Sequence, residues 1–61
     1  MDLRILSNGF SSTTYTVVPV SDAGQSFLGA MTQSVEIRKS GLGHALHAIE
    51  SAGLKWFEDV A

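Results

Sequence analysis

Thr13-Thr14-Tyr15-Thr16-Val17-Val18-Pro19-Val20-Ser21-Asp22 is the stretch on which the fold turns. Its β-branched and aromatic residues favour a pleated strand. Pro19 has no N–H to give to a ladder, so that end of the strand lies at an edge or is leaving the sheet. Ser21-Asp22 then reads as a helix start, with a side-chain oxygen for the free N–H groups of the first turn and a carboxylate at the positive end of the dipole. A strand from about Thr13 to Val20, passing at once into a helix, is the expectation.

Upstream, Asp2-Leu3-Arg4-Ile5-Leu6 alternates as a second strand, and Asn8-Gly9 marks a turn between the two. A two-residue loop would set Leu3 and Ile5 opposite Thr14 and Ser12, mixing apolar with polar. A three-residue loop, Asn8 to Phe10, sets Ile5 opposite Thr13, Leu3 opposite Tyr15 and Met1 opposite Val17. That register gathers Leu3, Ile5, Tyr15 and Val17 on one face, and it is the preferred one, with Gly9 or its neighbour in the left-handed position. Asp2, Arg4, Ser12, Thr14 and Thr16 would share the opposite face, either as solvated sheet or as a hydrogen-bonding contact surface.

Downstream, a helical wheel begun at Asp22 places Ala23, Phe27, Leu28, Ala30 and Met31 in one arc, which predicts a helix over 22–31. Gly24 falls inside that arc, where close approach to the sheet is its use. Val35-Glu36-Ile37-Arg38 alternates as a short strand, the alternative for 32–38 being an extension of the helix. Ser40-Gly41 opens a second helix to about Ala52, stopped by Gly53. Its apolar face is Leu42, Ala45, Leu46, Ile49 and Ala52. Leu54-Lys55-Trp56-Phe57 reads as a last strand, followed by an acidic tail, Glu58-Asp59-Val60-Ala61. The fold class expected is α+β: one domain over 1–61, with a small antiparallel sheet made of the N-terminal hairpin and one or two short strands. Two amphipathic helices should lie on one face of it.

The 61 residues include twenty-one apolar side chains larger than alanine and no cysteine. A chain of that size buries only about 60% of its unfolded surface, so core burial and chain entropy nearly cancel. The missing cysteines exclude disulfides, thiol nucleophiles and cysteine zinc sites. Four basic residues against six acidic give a net charge of −2. Nucleic-acid binding normally draws on clustered cations, and only Arg38 and Lys39 are adjacent. No apolar run has the length of a membrane span, and no signal-peptide pattern stands out, which points to a cytoplasmic domain.

Candidate chemistry is sparse. His44, His47 and Glu50 follow one another at spacing three along the second helix and could offer ligands to a metal ion, but they also form the polar face such a helix requires. Lys39, Ser40, Gly41 and Gly43 could hold an anion at the helix start; equally, Ser40 caps the helix and the glycines relieve a crowded turn. The Gly41-Leu42-Gly43 pattern is an incomplete phosphate-binding fingerprint, since Leu46 stands where a third glycine belongs. Twelve Ser and Thr beside two His make a chance nucleophile–base pair easy, so no enzyme and no cofactor are expected. Trp56 and Phe57, as strand neighbours, point to opposite faces. Only one fits a one-sided core with Leu54, which leaves Phe57 partly exposed or against a partner, and Phe10 in the turn is a second such aromatic.

The run Tyr15-Thr16-Val17-Val18-Pro19-Val20-Ser21-Asp22-Ala23-Gly24, with Ser26-Phe27-Leu28 and the later Ala52-Gly53-Leu54, resembles short proteins carried by phages and prophages. The resemblance spans about two-thirds of the chain and consists mostly of strand, cap and helix signals. It implies an accessory or host-interaction factor, with no catalytic residues to carry over. The function expected is therefore a non-catalytic protein-binding module that self-associates, with Phe57, Trp56, Phe10, Thr14 and Thr16 as interface candidates. The alternatives are a nucleic-acid-contacting regulator using Arg4, Arg38 and Lys39, or a metal or anion binder on the second helix.

Overall fold

In the computed structural model, which describes residues 1–29 and 31–60, the strand-to-helix stretch runs as β2 (Thr14–Pro19) into α1 (Asp22–Leu28). β1 is Leu3–Ser7 and β3 is Val35–Arg38, followed by a 3-10 turn over Lys39–Gly41. Then come α2 (Leu42–Ser51) and β4 (Trp56–Val60). The four strands form one sheet in the order β3-β2-β1-β4. Residues 32–38 thus contain a strand and not a helix extension.

β1 pairs antiparallel with β2, and β2 with β3, but β4 lies parallel to β1. The sheet is mixed, which corrects the all-antiparallel expectation. The crossover through α2 makes this possible, because parallel neighbours need a long connection. Glu58 and Asp59, expected in a tail, belong to β4.

The hairpin register also differs from the expected one. Leu3 faces Pro19, Ile5 faces Val17 and Ser7 faces Tyr15, and residues 8–13 form the connection, not a three-residue loop. The displacement is four residues, an even number, so every side chain keeps its face. Gly9 does take the left-handed position, φ +106°, and its carbonyl accepts from the Ser12 N–H at 3.1 Å. Val20 N–H reaches the Asp2 carbonyl at 2.9 Å. Pro19, one residue earlier, therefore aims its nitrogen toward the β3 side, where pairing stops at Val17. Paired with β1 alone, this strand end lies at a local edge of the sheet, and the missing N–H costs nothing.

Register places Leu3, Ile5, Tyr15, Val17, Val35 and Ile37 on one face of the sheet. Leu3, Ile5 and Val17 are buried there with Ile49 of α2. Leu28, Leu42, Leu46, Leu54 and Trp56 pack against that cluster. Gly24 is the one buried residue of α1, and a Cβ on it would stand 1.9 Å from the Asp2 carbonyl oxygen. Only glycine lets the helix come this close to the sheet.

α1 is shorter than its apolar periodicity. It ends at Leu28, where Gly29 N–H bonds Gln25 O at 2.9 Å. The Gln25 amide donates to the Gly29 carbonyl at 2.8 Å and to the Thr32 carbonyl, folding the chain away from the helix axis. Ala23 is exposed, Phe27 is 39% exposed and Met31 is 95% exposed; Ala30 lies outside the described residues. The stripe that meets the sheet is Gly24 and Leu28, not the whole arc. α2 behaves as expected from Leu42 to Ile49, whereas Ala52 is exposed beyond its end. There Leu54 N–H bonds Ile49 O and Gly53 N–H bonds Glu50 O, with Gly53 at φ +77°. This Schellman ending brings Leu54 back onto Ile49.

Candidate functional site

The side chains on the other face of the sheet fall into cross-strand rows. Phe57, Arg4 and Val18 form one row, and Asp59, Leu6, Thr16 and Glu36 the next. Thr14 and Arg38 form a third. Arg4 binds Asp59 through Nη2 at 3.0 Å and Nε at 3.1 Å, both to Oδ2. The pair is partly exposed and worth at most about 1 kcal/mol. Asn8 holds the hydroxyl row: its amide donates to Thr16 Oγ1 at 2.9 Å and Thr14 Oγ1 at 3.2 Å, while Thr16 donates back to Asn8 Oδ1 at 3.1 Å. Ser12, expected on this face, bonds the Thr14 N–H from within the connection at 3.2 Å.

The structure brings Phe57, Thr14 and Thr16 to one face and leaves the other interface candidates elsewhere. Trp56 packs on the core side and donates to Glu50 Oε1 at 3.4 Å. Phe57 is half-buried. Phe10 is fully exposed at the hairpin tip, at the rim of a concavity shared with Arg38, Lys39 and Ser40.

Lys39, Ser40 and Gly41 form the 3-10 turn that leads into α2, and Gly43 lies in the first turn of that helix. Lys39 Nζ donates to the carbonyls of Gly9 at 3.3 Å and Phe10 at 3.4 Å, and it stands 5.7 Å from the Tyr15 ring centre. Its charge thus steadies the hairpin loop. Ser40 lies inside the 3-10 turn and makes no capping bond; Gly41 holds the N-cap position of α2. A Cβ at Gly41 or Gly43 would meet nothing within 4 Å, so a crowded turn does not explain these glycines. His44, His47 and Glu50 are exposed. Among the described residues no group of three His, Asp or Glu is placed to hold a metal ion. Of the cations proposed for nucleic acid, Arg4 and Lys39 are engaged within the chain, leaving Arg38.

Asp2 was not among the candidates. Its Oδ1 accepts from the Ser21 hydroxyl at 2.6 Å and its Oδ2 from the Lys55 N–H at 2.8 Å. The backbone N–H of Lys55, with the Ser21 hydroxyl next, holds this carboxyl below the usual carboxylate range. Sequence could have flagged it only through the helix-start signal at Ser21, because its second partner is 53 residues away.

An apolar cavity of about 200 Å³ is lined by Val17, Val35 and Ile37 and by Phe27, Leu28, Ala45, Ala48 and Ile49. No described helix is long and apolar enough to cross a membrane. The chain matches no protein-family model, and no curated protein or solved structure is significantly similar to it.

Proposed function

We propose that the chain is a small non-catalytic module that works in the cytoplasm by binding protein, and that it associates with itself. In this reading both helices sit on the Leu3–Ile5–Val17 face of the sheet, and the face of Thr14, Thr16 and Phe57 is left open. The observation that supports it is the size of the core. Leu3, Ile5, Val17 and Ile49 are its buried hydrophobics among the described residues, while Phe10 and Met31 stand 103% and 95% exposed. So thin a core leaves little net stability, and surface buried against a second copy adds to it by mass action. Its role is that of an accessory factor, as the resemblance to short phage-borne proteins implies. Light scattering across a concentration series tests the proposal. A dimer whose melting temperature rises with concentration is expected; a monomer at the highest attainable concentration, with a constant melting temperature, overturns it.

A further inference from the structure

We infer that the second copy docks on β3, antiparallel about a two-fold axis at Ile37, joining two sheets into one of eight strands. The inference rests on the self-association proposed above and names its surface and register. β3 is an edge strand. Lys39 N–H donates to Thr13 O at 2.8 Å, so the odd-numbered positions of β3 turn their backbone groups toward β2. Alternation then turns the N–H and C=O groups of Glu36 and Arg38 to the free edge, ready for another strand.

The charges select the register. Glu36 and Arg38 are both exposed and share a face. Among the described residues neither side chain has a hydrogen-bond or ion-pair partner. Pairing centred on Ile37 sets Glu36 opposite Arg38 of the second copy, twice over, and makes both a backbone-bonded pair. Centring on Glu36 sets carboxylate against carboxylate; centring on Arg38 sets guanidinium against guanidinium. Like charges directly opposite are destabilising, so one register is favoured and its neighbours are penalised. A short charged edge ordinarily discourages pairing. Two opposite charges, two residues apart, reverse that for a copy of the same strand. On β4, the other edge, Asp59 is already held by Arg4.

Charge exchange tests the register. Glu36→Arg alone and Arg38→Glu alone should each weaken the homodimer roughly tenfold or more, since two attractive pairs become repulsive. An equimolar mixture of the two variants should recover dimer at wild-type concentrations, which also shows that both variants fold. Glu58→Arg, exposed on the far strand, should leave the dimer unchanged. If the wild type dimerises and both single variants dimerise equally well, the β3 interface is wrong while self-association stands. Loss of dimer in Glu58→Arg alone likewise moves the interface to β4 and overturns it. A wild type that stays monomeric removes the underlying proposal instead.

Discussion

The hydroxyl of Ser21 stands 2.6 Å from Oδ1 of Asp2, to which it donates, while its oxygen accepts the Gly24 N–H at 3.1 Å. One serine thereby caps α1 and ties it to the entry of β1. The other carboxylate oxygen of Asp2 takes the Lys55 N–H at 2.8 Å, so the lead into β4 joins the same knot.

The knot makes stability depend on acidity in a defined direction. Asp2 is held below its ordinary value of 3.8, first by the Lys55 N–H and then by the Ser21 hydroxyl. A carboxyl depressed in the folded state stabilises the fold above its unfolded value, and this contribution is lost as pH falls through the folded value. Asp2→Asn should therefore lose less stability than the wild type on acidification below about pH 4. NMR titration of the Asp2 carboxyl checks the cause: a midpoint at the ordinary value would refute it.

Ser21→Ala removes the cap and should cost about 1 kcal/mol. Urea denaturation measures the loss. Ser21→Asn, which restores a capping oxygen, should recover part of it.

Gly24→Ala places a methyl group inside the contact distance of the Asp2 carbonyl. The helix must back away, at a cost of about 3 kcal/mol or more. A chain of this size has only a few kcal/mol in hand, so loss of cooperative melting by circular dichroism is the expected readout.

Gly43→Ala should act in the other direction. The position is exposed, lies in the first turn of α2, and has open space where a Cβ would go. A gain of up to about 1 kcal/mol is expected from helix propensity and a less flexible unfolded chain. Unchanged or lowered stability would refute this expectation.

Ile49→Ala removes the helical member of the four-residue buried cluster and should cost about 2–5 kcal/mol. The Schellman ending of α2 should loosen with it, because Leu54 packs back onto that side chain. Amide exchange at Gly53 and Leu54 would report it.

Much of the architecture was legible in the sequence because apolar alternation fixes parity. Leu3, Ile5, Tyr15 and Val17 share a face whether the hairpin loop is short or long. Parity does not fix loop length, however, and Asn8 uses its amide on Thr14 and Thr16 instead of turning the chain. Glu58-Asp59 read as a tail because the partner that draws Asp59 into the sheet is Arg4, 55 residues away. The length of α1 escaped for a similar reason: its apolar period continues past Gly29, but the Gln25 amide captures the carbonyls beyond and ends the helix. Of the site, the opposed facing of Trp56 and Phe57 could be read from adjacency. The engagement of Lys39 with the hairpin loop could not, since it depends on tertiary approach of segments 29 and 30 residues apart.

The parallel seat of β4 beside β1 sets a schedule for the growing polypeptide. Synthesis delivers β1 before β4, so one of its two flanks stays unpaired until residues 55–60 have left the ribosome. Pairings of such long sequence separation pay their loop-closure entropy before any reward, and so form late. Leu3 and Ile5 therefore wait in a strand with one open side until β4 docks, a state in which the chain is prone to cling to a neighbour.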